Sequence, residues 1–394
     1  MRGTMRLGWR RRIPLAWCLL TRQPGRLAVA LAGICFAGML MFLQLGFRDA
    51  LFDASITIHR LFNADVVLIS STSSSSISME PFPKRRLFQA ASWPEVEGIS
   101  PVRWGLLVWK NPETGSPRGI LAVGFDPDDD VLSLEGLAEQ KKSLQLDQRV
   151  LYDRLSRPEF GPVEDWLKAG RTVSAEVRNI RVQVDGLVEL GTSFGADGNL
   201  LTSNRTFNKL LGSADGSGTS IELGLIRLVP GADPKTVATT LKNALPNDIQ
   251  VLTKQEFLAF EQDYWRSSTN IGFIFNLGAA MGLVVGAVVV YQILFSDVVD
   301  HLPEYATLKA MGYSSMDLVT VILQESLLLA GFGYIPAFLA GKGIYGFTRS
   351  ATSLPIGMSS QMAIFVFAMI FIMCVISGLL AMGKLRDADP AEIF

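Results

Sequence analysis

Apolar residues run almost without interruption through four stretches of the chain, Leu27–Phe47, Ile271–Phe295, Val319–Gly341 and Met362–Met382. A helix that crosses a bilayer needs about 20 apolar residues at about 1.5 Å each, so each stretch predicts a transmembrane helix. The interval between the first and second stretches reads differently. Asp65–Ser70, Arg103–Trp109, Ile120–Gly124, Ile180–Val188 and Ile221–Leu228 are rich in Val, Ile and Leu and predict strands. Gly231–Leu245 predicts a turn and then a helix, with Pro234 early and Val237, Leu241 and Leu245 on one face. A strand–helix–strand unit over 221–252 results, and a helix at Lys84–Ala91 before a strand at 99–109 repeats the order. Ser70–Ser78 and Gly212–Ser220 are loops by composition. The fold class is a membrane protein, α-helical with four transmembrane helices, with a large α+β domain of two lobes between helices 1 and 2.

Helical spacing does not stop where the first apolar stretch ends. Leu51, Phe52, Ile56 and Leu61 continue it, and no Gly or Pro interrupts 47–62. Phe257, Leu258, Phe260, Glu261 and Tyr264 lead into the second stretch in the same way. A helix over 27–62 would be about 54 Å long and one over 254–296 about 64 Å, against a hydrocarbon core of about 30 Å. The pattern therefore predicts a stalk. Residues 27–62 form transmembrane helix 1 and its extension, 63–253 the α+β domain, and 254–296 the returning extension and transmembrane helix 2. A coupling loop at 297–318, helix 3 at 319–341, a loop at 342–361, helix 4 at 362–385 and a tail at 386–394 complete the division.

Charge sets the orientation. The first 47 residues carry Arg2, Arg6, Arg10, Arg11, Arg12, Arg22 and Arg26 and no acid, and basic residues beside a first span hold that end in the cytoplasm. The N- and C-termini are then cytoplasmic and 48–270 lies on the far side of the membrane. The loop 296–318 opposes this with one base, Lys309, against Asp297, Asp300, Glu304 and Asp317; acids count little in the rule. Residues 1–26 mix Arg with Trp9, Leu15, Trp17, Leu19 and Leu20, which suits a helix lying in the inner interface. The following apolar run is too long for a cleaved signal, and no small-x-small site follows it. The segment 48–270 holds 24 Lys and Arg against 29 Asp and Glu, which argues against nucleic acid as a partner. Cys18, Cys35 and Cys374 all lie outside that segment, so no disulfide framework is expected in it.

Few motifs carry chemistry. Asp126, Asp128 and Asp130 imitate the start of a calcium loop, but Val131 and Leu137 stand where Gly and Glu are needed. Gly378-x-x-x-x-Gly383-Lys384 imitates a phosphate loop, yet Leu385 follows and an apolar helix precedes. Helix packing is the better reading. His59 and His301 fall on opposite sides of the membrane in this topology and form no metal site together. No catalytic residue and no metal site is assigned. Glu325 lies seven residues into the third span, where a carboxylate is costly; it serves either the packing of the bundle or coupling. His301–Tyr313 is a short amphipathic helix, with Pro303 in its first turn and Gly312 at its end. Tyr305, Leu308 and either Met311 or Gly312 share a face, a form that fits a groove in a partner.

Glu304-x-Ala306-Thr307-Leu308-Lys309-Ala310-Met311-Gly312, then Gln324-Glu325-Ser326 and a Gly-rich span, resembles the FtsX/MacB-type permeases of ATP-binding-cassette systems. Lys384–Phe394 resembles their C-terminal Asp-Pro-Ala-Glu signature, and the first 60 residues look most like the DevC branch, the permeases of DevBCA-type exporters. His301-Leu302-Pro303 stands where basic residues are common, which bears on the electrostatics of docking. The resemblance implies a bacterial inner membrane with 48–270 periplasmic, a homodimer, a separate ATPase pair and mechanotransmission to the periplasmic domain. The ATPase pair would dock on Glu304, Tyr305, Leu308, Lys309, Met311 and Gly312, and on Asp389, Pro390 and Glu392 of the tail. It also implies a periplasmic membrane-fusion adaptor, a TolC-like outer-membrane channel and a lipid-like substrate, with a glycolipid suggested by the DevC likeness. ATP and magnesium would be bound by the partner, so no cofactor is expected in this chain and it is not an enzyme. A lipoprotein-release permease and a cell-wall hydrolase regulator are the competing functions. A signalling receptor is disfavoured by the short inner segments.

Overall fold

A run of β-branched residues ends the first long helix. Helix α1 covers Pro24–Ser55, Ile56 leaves helical geometry at φ −109° and ψ 10°, and α2 resumes over Thr57–Leu61. Ile56, Thr57 and Ile58 lose side-chain freedom against a preceding turn. Ser55 Oγ also donates to the Phe52 carbonyl at 2.7 Å, a local bond that competes with the helical ladder. The unbroken helix expected over 27–62 is thus interrupted at Ile56. The computed structural model describes residues 21–193, 195–213, 216–267, 270–303, 307, 311, 315–352 and 356–387. The amphipathic segment expected over 1–26 lies outside them as far as residue 20.

The chain divides into two units, one of residues 51–270 and one of 1–50 with 271–394. The first begins with β1 (Val66–Ser70), β2 (Phe82–Pro83), α3 (Arg85–Ala90), β3 (Val96–Lys110) and β4 (Pro117–Phe125). It continues with α4 (Leu137–Gln140), β5 (Arg149–Asp153), α5 (Val163–Lys168), β6 (Val173–Val177) and β7 (Ile180–Val188). After β8 (Asn199–Ser203) come α6 (Asn204–Leu210), β9 (Ser220–Ile221), β10 (Leu223–Leu228), α7 (Pro234–Ala244), β11 (Ile249–Thr253) and α8 (Lys254–Ser267). This is an α+β arrangement, and the five strands expected from the pattern are present. The span read as one strand at 221–228 is two, interrupted at Glu222.

The long strand β3 is shared by two sheet regions. On one side the order is β11-β1-β10-β3, all antiparallel. Because β10 and β11 both run against β1, they are parallel to each other, and α7 is their crossover. On the other side β3, β4, β8, β5, β7 and β6 follow in turn, and β6 pairs back onto β3 through Trp109–Val177 and Lys110–Glu176. This ring of six strands closes around Trp109, Tyr152, Phe160, Val184, Leu200 and Phe207. A closed ring leaves no strand edge exposed. Asp153, buried at the end of β5, accepts from the Leu155, Leu190 and Gly191 amides at 3.0–3.1 Å and from Asn199 Nδ2 at 2.7 Å. Burial nevertheless pushes its carboxyl above the usual range. Ser203 caps α6 by accepting from the Thr206 amide at 3.2 Å. Ser203→Ala is expected to cost about 1 kcal/mol, read as faster amide exchange over 204–210.

The second unit is a helical bundle of α1 with α9 (Ile271–Asp300), α10 (Ser315–Thr352) and α11 (Ser360–Asp387). All four are long and apolar enough to span a membrane. Helix α10 runs past Gly341 to Thr352, so the segment read as a loop at 342–361 is partly helical. In its last turn Arg349 donates to the Ile356 carbonyl at 2.5 and 3.2 Å. Ile34, Met41 and Phe42 of α1 pack with Val290 and Leu294 of α9, Leu329 of α10, and Ile370 and Met373 of α11.

Candidate functional site

The helices of the bundle meet closely because small residues let them. A Cβ on Gly378 of α11 would lie 2.2 Å from Ser326 Oγ on α10, and one on Gly286 of α9 would lie 2.6 Å from Ala37 of α1 and Met373 of α11. Without a hydrophobic driving force between helices in lipid, such close packing is what holds them together. Gly378 therefore serves helix contact, as its setting in an apolar helix predicts. Ser377, beside it, donates to the Ala287 carbonyl at 2.9 Å.

Glu325 is the residue before Ser326 on α10. It is 1% exposed, next to the fully buried Ser326, whose hydroxyl is spent on the Ile322 carbonyl at 2.9 Å. Glu325 Oε1 has no hydrogen-bond partner among the described residues. Val298, Val319 and Ile322 form a small apolar cluster nearby along α9 and α10.

Polar groups gather at the ends of the helices that frame the coupling loop. Arg26 of α1 forms an ion pair with Asp300 at the end of α9. His301 Nδ1 lies 2.9 Å from the Asp297 carbonyl and 3.5 Å from its carboxylate. This supplies a physical use for His301-Leu302-Pro303: the imidazole closes the last turn of α9. Beyond it, Thr307 Oγ1 donates to the Pro303 carbonyl at 2.9 Å, and the Met311 amide donates to the Thr307 carbonyl at 3.0 Å. Both are bonds to the fourth residue back, the spacing of an α-helix. Met311 is 65% exposed, an apolar side chain turned to the outside.

Of the residues singled out from the sequence, the structure thus places Glu325 in the bundle core and Met311 on its surface. Glu304, Tyr305, Leu308, Lys309 and Gly312 of the coupling helix lie outside the described residues, as do Asp389, Pro390 and Glu392 of the tail. Sequence reasoning missed Asp297 and Arg26 as partners of His301 and Asp300. Their signal was a charged residue just outside the end of each apolar run, Arg26 before Leu27 and Asp297 after Phe295.

Together these features define a class: a multi-pass helical membrane protein with an α+β unit inserted after its first helix. Residues 276–390, which take in most of α9 and all of α10 and α11, match the family described as FtsX-like permease C-terminal. That part of the chain is therefore FtsX-like. Among solved structures, it is similar to the periplasmic region of MacB from Actinobacillus actinomycetemcomitans. That match has 10% identity and a TM-score of 0.34, covering 50% of this chain and 92% of the other. It is also similar to the extracellular domain of the ABC-type transporter YknZ from Gram-positive bacteria, at 11% identity and a TM-score of 0.31, covering 48% and 99%. No curated protein matches the chain.

Proposed function

We propose that this chain is the permease subunit of an ATP-driven export system and relays the motion of a separate ATPase without performing chemistry itself. The observation that carries this reading is the FtsX-like match over three apolar helices. An exposed Met311 on a segment with helical bonding supports a docking role for 301–313. Aromatic residues and Met are favoured at such contacts, where a few buried anchors supply most of the binding energy. The ATPase pair would hold ATP and magnesium and seat itself against Tyr305, Leu308 and Met311, and against Asp389, Pro390 and Glu392 of the tail.

Helix α1 has 32 residues and α9 has 30, about 48 and 45 Å, so both exceed a hydrocarbon core of about 30 Å. Rods of that length relay a push made at 301–313 to the far side of the membrane, with 51–270 periplasmic and both termini cytoplasmic. A homodimer, an adaptor protein, a TolC-like channel and a lipid-like substrate complete the proposed system, as in the DevC branch.

Purification from the host membrane is expected to retain an ATP-binding subunit and an adaptor, with a lipid seen by mass spectrometry. A retained lipoprotein in place of lipid would redirect the substrate to lipoprotein release. Gly312→Pro is expected to lower coupled ATP turnover severalfold with membrane insertion unchanged, because Pro disrupts the end of the docking helix. Full coupling in that variant, or ATP hydrolysis by the isolated chain, would overturn the proposal.

A further inference from the structure

His59, on α2, is 3% exposed, and neither ring nitrogen has a hydrogen-bond partner among the described residues. Its ring lies against Phe257 and Trp104, with centroids 5.1 and 5.3 Å away, and against Phe62 at 6.4 Å. A neutral imidazole carries one donor and one acceptor, and leaving both unmade in an apolar shell is costly. Beside the ring is a cavity of about 20 Å³ bordered by Ser55, Ser76, Trp104, Glu261 and Trp265. That is room for about one water.

Two of those neighbours hold the Ser-rich segment 71–78. Glu261 of α8, 1% exposed, accepts from the Ser76 amide at 2.7 Å and from Trp265 Nε1 at 2.8 Å. Trp104 of β3 donates from Nε1 to the Ser76 carbonyl at 2.7 Å. Both backbone groups of Ser76 are thus fixed by the two side chains that flank His59. Around the ring stand Phe62 just after α2, Trp104 of β3, Ser76 and Ile77 of the segment 71–78, Ser193 and Ala196, and Phe257 and Glu261 of α8. Among the described residues Glu261 is the one ionisable group facing it.

We propose that His59 and Glu261 form an acid-sensitive clasp, in which a proton on His59 releases the segment 71–78 from its seat on Trp104 and Glu261. A charged imidazolium has two donors and no acceptor. The anion that can answer it is Glu261, whose oxygens are already committed to Ser76 and Trp265. Pairing with His59 draws Glu261 away from the Ser76 amide, and water enters the cavity.

Burial pushes His59 below its ordinary value, and the negative charge of Glu261 opposes this. A histidine held below its unfolded value stabilises the closed state fully above about pH 6.5, and that stability is lost as pH falls toward the folded titration point. Opening of the segment should therefore rise by up to about tenfold per pH unit within that window. This inference is independent of the export reading, since it concerns 51–270 alone.

The chain has two histidines, so the full-length protein in lipid nanodiscs, labelled at histidine, gives two resolvable ring titrations by NMR. Amide exchange over 71–80, corrected for its intrinsic pH dependence, reads the opening. The expected result is a His59 ring that titrates below 6.5 and exchange that accelerates in the same window. His59→Gln should abolish the acid acceleration. Glu261→Gln should move the His59 titration lower still. A His59 that titrates at or above 6.5, or equal acid acceleration in His59→Gln, would overturn the proposal.

Discussion

Glu222→Ala is expected to destabilise the α+β unit by about 3–5 kcal/mol, a large part of the roughly 5–15 kcal/mol that holds a typical domain. Glu222 and Arg103 are a buried, two-pronged ion pair. Arg103 Nε donates to one carboxylate oxygen at 2.9 Å and Nη2 to the other at 3.1 Å, with side-chain exposures of 7% and 8%. Glu222 also accepts from the Trp104 amide at 3.0 Å. Arg103 Nη1 reaches Asn208 Oδ1 at 2.6 Å and the Ser220 carbonyl at 3.0 Å, and its guanidinium stands 5.2 Å from the Phe207 ring centre. Truncating Glu222 leaves that guanidinium buried without its counter-charge and the Trp104 amide without an acceptor.

The pair itself is held at a cost. Burial pushes the Glu222 carboxyl above its ordinary range even with Arg103 beside it. An ion pair of this kind adds little net stability over apolar residues of similar volume, yet breaking it from one side is severe. The double variant Arg103→Met with Glu222→Leu is therefore expected to be more stable than either single variant, with coupling of about 0.5–3 kcal/mol. Amide exchange over β3 and β10 measures each corner of the cycle. A Glu222→Ala protein with unchanged protection there would show that the pair is not what anchors β10 to β3.

How far the fold could be read from the chain depended on whether its signals were local. The four apolar runs needed no partner to be recognised, and α7 announced itself through Pro234 and a clean apolar face. Strands β5, β6 and β8 have five residues each, too short for period-two alternation to stand out. The closure of β6 onto β3 joins Val177 to Trp109, a pairing that no local pattern encodes. Glu222 interrupts what reads as one apolar strand, because its partner Arg103 is 119 residues away. Glu261 was visible as part of an amphipathic pattern but not as buried. The clue was its place between Phe257 and Trp265, each four residues off, which sets a carboxylate on the apolar face. The use of His301 was not legible, because it depended on Asp297 one turn earlier.

Glu325→Met is expected to leave the helical bundle at least as stable and to slow ATP-coupled turnover by about 5- to 150-fold, the span of typical coupling energies. The sequence allowed two roles for this residue, packing and coupling, and we propose the second. A carboxylate that served packing would have its oxygens answered by donors from facing helices. Here the side chain is 1% exposed, Oε1 lacks a partner among the described residues, and the neighbouring Ser326 hydroxyl is turned to Ile322 of its own helix. A polar group buried in that way costs free energy, so removing it in favour of an unbranched apolar side chain of similar reach relieves the cost. What the bundle loses is a buried polar group of α10. An ionisable group inside a membrane helix is retained at that cost where it biases one arrangement of helices over another. Glu325→Gln separates the acid from its shape: turnover lost in both variants with melting temperature held assigns the effect to the carboxyl group. A Met variant that melts earlier and slows in proportion would return Glu325 to packing, since coupling lost through unfolding is no coupling role at all.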